Sequence, residues 1–410
     1  MIDRQQAEQL AATWARRDSQ RLGYECTATV DEFDLGYVIT SVVPTEVRTI
    51  PGDLPTTVID KQTGTVTTWP RVPSTVVAEM YRRSQPTGPT APRTVDPSTL
   101  LSREIHRLPT PNTAAHLTID GRIWTAQGTK GDVPLNHHPL VRSYLDQLPP
   151  GELVRGGEAH AELIVVSDVL HEYDHRRAAE GIAPMGRAEA AALLDGARFE
   201  IFRIREPGDP AGGVADRPCD SCVDFLVRAN VLPESARGYT ETWRAPAEPD
   251  PDPGRFPPEV ANALVAAGWR PHIGDQLMAA AAVRDVTAVP GHTVFPAAVE
   301  ALTAFPSLVG ARRGRGEQVW ISRFDIRPHT IAHTADTLAD FGAVLGVRLF
   351  PIGTEQQDSI LAVDERGRVF ALDQAGEWFL GDTIDAALTT LLLGRAPARV
   401  RDDGTWQAAG

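Results

Sequence analysis

Between Glu248 and Gly254 proline occupies every second position, in the run Glu248-Pro249-Asp250-Pro251-Asp252-Pro253-Gly254. Alternating Asp-Pro can neither continue a helix nor pair as an inner strand, so this run reads as an extended acidic linker. A second proline-rich run, Ser84-Gln85-Pro86-Thr87-Gly88-Pro89-Thr90-Ala91-Pro92, interrupts the chain earlier. With 410 residues the chain is too long for one ordinary domain. The two cuts divide it into three expected domains, residues 1–85, 91–245 and 255–410, with no internal repeat.

The composition, 42% hydrophobic and 23% charged, is that of a globular protein. A net charge of -14 argues against a general DNA or RNA binder, which needs a basic surface. It suits a small-molecule substrate or a protein partner with a basic face. No apolar run approaches the roughly 18 residues of a bilayer span. The opening Met1-Ile2-Asp3-Arg4-Gln5-Gln6 has no signal-peptide core. The expectation is a cytoplasmic protein without membrane contact. Three cysteines make a poor disulfide framework. Cys26 reads as a small buried strand residue, and the close pair Cys219 and Cys222 as metal ligands.

Local patterns outline the elements. A first helix is capped by Asp3 with Gln6 as capping-box partner, and Ala7, Leu10, Ala11 and Trp14 form its apolar face. Strands are expected at Cys26–Phe33 and Tyr37–Val43, then a hairpin over Thr57–Trp69 turning at Gly64. In the middle, His116–Ile119 and Arg122–Thr125 flank the turn pair Asp120-Gly121. Helices follow at Pro139–Leu148, Ala159–Tyr173 (burying Leu163, Val166 and Leu170) and Arg187–Leu194. A strand at Arg198–Ile204 precedes a helix that begins near Cys219. The last third opens with a helix that Pro257 and Pro258 start and Gly268 ends, burying Val260, Leu264 and Val265. Strands Ile360–Val363 and Arg368–Leu372 turn through Gly367, and a final helix covers Ile384–Leu393. The fold class expected is α/β, a central three-layer α/β/α sandwich flanked by two smaller α+β domains.

Two motifs carry chemistry: His160-Ala161-Glu162, and Pro218-Cys219-Asp220-Ser221-Cys222. A His-x-Glu followed by Pro-Cys-x-x-Cys is the signature of zinc deaminases. Two cysteines three apart at a helix start can point at one ion, and the helix N-terminus favours their thiolates. His160 would be the third ligand, leaving one tetrahedral position open. A zinc ion held in this way lowers the pKa of water toward neutrality. Glu162 would move protons from that water to the ring nitrogen and then to the leaving amine, releasing ammonia. The competing reading is a closed structural zinc site, for which His138, His171 or His175 could supply a fourth ligand.

Four further residues are candidates for substrate contact. Trp124 can stack on a base or pack in the core. Asn136 can bond a ribose or base edge, or serve as a loop or capping residue. Ala161 lies between His160 and Glu162. Ser221 can orient the attacking oxygen, or satisfy backbone near a helix start.

On these motifs, with the preceding hairpin and the His138-Pro139 helix start, Ala91–Thr242 resembles the YwqJ-like branch of the deaminase superfamily, which is linked to bacterial polymorphic toxin systems. The resemblance implies a central sheet carrying the zinc helices, with His160, Cys219 and Cys222 as ligands of Zn2+ and Glu162 as acid/base. Arg255–Arg395 looks like the third group of the SUKH immunity superfamily, through Phe256-Pro257-Pro258-Glu259-Val260, Ala267-Gly268-Trp269, Leu349-Phe350-Pro351-Ile352-Gly353, Leu361–Phe370, Trp378 and Leu380-Gly381. Such modules bind and neutralise toxins. The first domain is similar to the Imm35 or YrhB-like immunity domain, through Val58–Val66 and Trp69-Pro70.

The leading expectation is a hydrolase of cyclic amidine C–N bonds, a zinc-dependent deaminase acting on a nucleobase, nucleoside, nucleotide or single-stranded nucleic acid, in a bacterial toxin–immunity type protein. The alternative is a non-catalytic immunity protein whose deaminase domain is a zinc-stabilised scaffold. The flanking domains would then bind a toxin or conflict-system protein.

Overall fold

A computed structural model of the chain describes residues 3–22, 24–44, 56–62, 66–85, 91–95, 111–206, 209–238, 252, 254–271, 275–356 and 359–407. The Asp-Pro run and the earlier proline-rich run lie largely outside them, as does the expected Gly64 turn.

The N-terminal unit opens with α1 (Arg4–Leu22). Its capping box is reciprocal: Gln6 N donates to Asp3 Oδ1 at 2.8 Å, and Asp3 N donates to Gln6 Oε1 at 3.0 Å. β1 (Thr27–Glu32), β2 (Gly36–Val42), β3 (Thr56–Asp60) and β4 (Val66–Trp69) form an antiparallel meander in that order. α2 (Ser74–Ser84) follows, and its Val77 and Tyr81 pack with Val38, Val58 and Trp69.

In the middle unit β5 (Asn112–Ile119) and β6 (Arg122–Gln127) pair antiparallel. Asp120 and Gly121 between them have φ of 49° and 77°, the left-handed pair that a tight hairpin demands. α3 (Pro139–Gln147), α4 (Ala161–Ala179), α5 (Arg187–Leu194), β7 (Arg198–Ile204) and α6 (Asp220–Arg228) complete it. β5 is the centre of a three-stranded antiparallel sheet, β6-β5-β7. α4 covers one face, burying Leu163, Val166 and Leu170 against Leu117 and Ile201. On the other face His116 lies between Phe202 and Trp69 of the N-terminal unit, so β4 helps to cover the middle sheet. α4 starts later than the pattern suggests, because Gly157–Ala159 close a 3₁₀ turn and His160 is left extended as the cap.

The C-terminal unit contains α7 (Pro258–Ala266), α8 (Gln276–Thr287), α9 (Pro296–Ala304), β8 (Val309–Gly310), β9 (Phe324–Asp325), α10 (Ala335–Leu345), β10 (Leu349–Glu355), β11 (Ser359–Asp364), β12 (Val369–Asp373), β13 (Gly376–Gly381), α11 (Ile384–Leu393) and β14 (Ala398–Arg399). Its seven strands follow the order β14-β13-β12-β11-β10-β9-β8, with every neighbour antiparallel. Both faces are dry, and side chains alternate between them as the pleat requires. Leu361 and Val363 enter the core with α7, α9 and α11, while Ile360 and Ala362 enter the core with Phe341 of α10. Mixed helices and antiparallel sheets thus make up an α/β molecule. Among the described residues no helix is long and apolar enough to cross a membrane.

Candidate active site

Two helix starts converge on one point. The chain turns through Gly156, whose φ is 64°, into the 3₁₀ turn and presents His160 at the cap of α4. Cys219 caps α6 in an extended conformation, and Cys222 lies one turn along. His160 Nδ1 is 3.5 Å from Cys219 Sγ and 3.4 Å from Cys222 Sγ. Zinc–ligand bonds of 2.0–2.3 Å at tetrahedral angles give ligand–ligand edges of about 3.6 Å. The donor set therefore fits a zinc ion in chemistry and in size. A carboxylate oxygen of Glu162 completes a group whose ligand atoms all lie within 4.8 Å of one another.

Glu162 is 1% exposed, and its Oε2 has no hydrogen-bond partner. An unpaired buried carboxylate oxygen costs free energy, so its presence beside the three donors calls for an explanation in chemistry. Burial pushes the Glu162 carboxyl above its ordinary value, against the pull of His160. Cys219 is held well below the usual thiol value by the Cys222 thiol that donates to it, and by His160 in spite of burial. Burial, then the Cys219 sulfur, pushes Cys222 well up. Burial works against protonation of His160, but the Cys219 charge prevails and lifts it to about 9. Binding of a divalent cation at these donors would displace the protons they hold.

The cluster opens onto a cavity of about 510 Å3 that His160, Glu162 and Cys219 help to line. That volume is within the range that holds a small-molecule ligand. Ser221 is buried beside the sulfurs, 3.6 Å from Cys219 Sγ, and its Oγ accepts from Val154 N at 3.3 Å. Ala161 is fully buried, and its N–H donates to Gln374 Oε1 at 3.2 Å. Trp124 is placed elsewhere. Its indole N–H donates to Glu172 Oε2 at 2.9 Å, Arg122 lies over its ring at 4.4 Å, and it packs in the core beneath α4. Asn136 is exposed, and its backbone carbonyl accepts from His171 Nε2 at 2.8 Å. Neither Trp124 nor Asn136 lines the cavity. Two of the histidines that could have supplied a fourth ligand are engaged elsewhere: His138 Nε2 pairs with Asp174 at 2.9 Å, and His171 Nε2 donates to the Asn136 carbonyl.

Sequence reasoning did not single out Arg155, Glu355, Asp373 or Gln374, all of which line the cavity. Arg155 donates to Glu355 Oε2 at 2.8 Å, to Asp373 Oδ2 at 2.9 and 3.1 Å and to Ser359 Oγ at 3.2 Å. These partners lie about two hundred residues away, and no local pattern announces them.

Residues 5–88 match the family model of the immunity protein 35-like domain, residues 100–231 that of YwqJ-like deaminases, and residues 256–394 that of SUKH-3 immunity proteins. No curated protein and no solved structure matches the chain. A segment of deaminase type, a hydrolase at the level of its family, therefore stands between two segments of immunity type.

Proposed function

We propose that the middle unit is a zinc-dependent hydrolytic deaminase of base-type cyclic amidines. His160, Cys219 and Cys222 would hold the ion, and Glu162 would move the protons. The observation that carries this reading is the buried Glu162 carboxylate, one oxygen unpaired, beside three donors spaced as zinc ligands are. Zinc, when bound, supplies the Lewis acidity that makes water nucleophilic near neutral pH. Glu162 then takes a proton from the attacking water and passes it to the ring nitrogen. A second transfer protonates the amine as the carbon–nitrogen bond breaks. The amidine C–NH2 and one water become C=O and ammonia. Ser221 and the backbone at Ala161 are the proposed positioning groups. We further propose that residues 1–85, 91–245 and 255–410 are three domains of a cytoplasmic protein of toxin–immunity type.

Zinc content and ammonia release, measured together on wild type and Glu162→Ala across free bases, nucleosides, nucleotides and single-stranded DNA and RNA, test the reading. The expected result is one zinc per chain in both proteins and ammonia from the wild type alone. Metal-loaded wild type that releases none from any of them rejects it.

The flanking matches favour a second role alongside catalysis, recognition of a toxin-class protein. An apolar surface on α8 and α9 suits it, with Leu277 83% exposed and Met278 and Val299 also open to solvent. A Leu277→Asp/Met278→Asp variant should lose a partner that the wild-type chain captures from its host. Capture that survives the double change argues against this surface.

A further inference from the structure

The cavity wall opposite the two metal-site motifs comes from the C-terminal unit. Gln374 sits at the tip of the β12–β13 hairpin and accepts the Ala161 N–H, the donor between His160 and Glu162. Its turn is locked from within, because Asp373 Oδ1 accepts from Ala375 N at 2.9 Å, Gly376 N at 3.1 Å and Trp378 Nε1 at 3.1 Å. The start of α6 is held from the same unit. Trp320 Nε1 donates to Asp220 Oδ2 at 3.2 Å, and Arg313 pairs with the same carboxylate. Both helix starts that carry the motifs therefore rest on the C-terminal unit.

This seam is not a sliding contact. Main-chain bonds cross it from Gly151 N to Gln318 O at 3.0 Å and from Trp320 N to Leu153 O at 2.9 Å. Ala159 is part of the core of the C-terminal unit. Glycine is required at the closest approaches. A Cβ on Gly156 would stand 2.6 Å from Ala375 Cβ, one on Gly151 2.1 Å from Gly316 O, and one on Gly128 2.7 Å from Gln374 Oε1. Ordinary interdomain contacts permit relative motion, whereas paired backbone, a shared core and the buried Arg155 cluster oppose it.

We propose that the C-terminal unit is a fixed wall of the reaction pocket, that Gln374 decides what fits against the metal cluster, and that the substrate is a monomeric base-containing molecule no larger than a nucleotide. The proposal rests on the deaminase reading. An enzyme that works on a base within a strand must let the backbone run past the pocket on both sides, along an open and basic groove. Here the hairpin tip abuts the cluster at Ala161, and the segment from Arg313 to Trp320 abuts it at Asp220. The chain as a whole carries a charge of -14, which repels a polyanion. A cavity of about 510 Å3 holds a nucleoside or nucleotide. With Oε1 taken by Ala161, the Gln374 amide is oriented as a donor, the kind of group that reads a ring nitrogen or carbonyl.

The test uses the full zinc-loaded chain, wild type and Gln374→Ala. Ammonia release is measured on bases, nucleosides and nucleoside 5′-monophosphates, and on single-stranded DNA and RNA oligonucleotides. Turnover of monomers alone is expected. Gln374→Ala should raise KM for the best monomer about tenfold, as for one lost hydrogen bond, with kcat and bound zinc unchanged. Oligonucleotides turned over with kcat/KM equal to the best monomer's overturn the proposal. So does an unchanged or lowered KM in the variant, and so does a raised kcat, which would make Gln374 a plug. The rate at which a coloured chelator extracts zinc reads the wall without catalysis. Gln374→Ala should quicken it several-fold, and an unchanged rate overturns the wall. If every substrate is silent but extraction responds, the deaminase reading and the monomeric substrate fail while the fixed wall stands. If both are silent, both ideas fail.

Discussion

Arg155 and Glu162 are both buried on the wall of one cavity, and their surroundings are opposite. Every nitrogen of the Arg155 guanidinium meets an acceptor: Glu355, Asp373 twice, and Ser359. Its charge is matched so closely that it holds its proton more firmly than a free arginine does, even against burial. Glu162 has no cation of comparable strength and keeps one oxygen unpaired. A saturated buried network specifies how two surfaces meet and leaves nothing over for a ligand. An unsaturated one carries a cost in the resting protein that a bound ion and a reacting water can repay. The clamp is saturated, and the carboxylate is not.

That contrast breaks most sharply at Glu162. Glu162→Gln keeps the shape and removes the proton carrier, so ammonia release should fall by about 10²–10⁴-fold while zinc per chain, measured by atomic absorption, stays the same. A fall of less than tenfold would remove Glu162 from the proton path. The converse change, Arg155→Met, should cost about 3–5 kcal/mol in denaturant unfolding, because Glu355 and Asp373 are left buried without their cation. Replacing all three by apolar residues of similar volume should recover most of that loss, whereas no replacement at Glu162 should recover activity.

His116 sharpens the comparison from another side. Its Nε2 is also buried and unpaired, but it is wedged between Trp69 and Phe202 and lines no part of the cavity. Burial depresses its pKa to about 4. The unfolded chain, with a histidine near 6.5, takes up the proton first as pH falls. The contribution of His116 is therefore intact above about pH 6.5 and is lost on the way down to about pH 4, a change of about 1–3 kcal/mol. His116→Phe should flatten that part of the stability–pH curve and leave kcat alone. If it abolished activity, an unpaired buried atom would mark function even away from the cavity. The smallest effect is expected at Gly156→Ala, where a positive φ and the overlap with Ala375 should cost about 1–2 kcal/mol of stability with the metal retained.

The convergence of His160, Glu162, Cys219 and Cys222 was legible because its geometry is local: each half of the motif sits at one helix start, where capping geometry fixes the direction of the side chains. The same holds for the Asp3–Gln6 capping box, the Asp120-Gly121 turn and the strand Arg198–Ile204. Trp124 shows the limit. An alternating hairpin presents a tryptophan identically whether it awaits a base or fills a core, and only the Glu172 and Arg122 contacts decide for the core. α8 and α9 gave no firm sequence signal, since their alanine-rich faces lack a sharp polar–apolar contrast. Gln374 and Arg155 were invisible because their meaning lies in partners on the far side of the molecule.

Asp373 follows Arg155 by 218 residues, and that separation sets a clock. At about 5–20 residues per second, a ribosome needs about 10–40 s to make the stretch between them. During that interval α4 and α6 can already meet, yet the turn before His160 has no surface to lean on, and the nascent pocket stands open. The site acquires its final form only once the β12–β13 hairpin has been made, so a chain cut short before it would carry His160, Glu162, Cys219 and Cys222 without the Gln374 contact at Ala161.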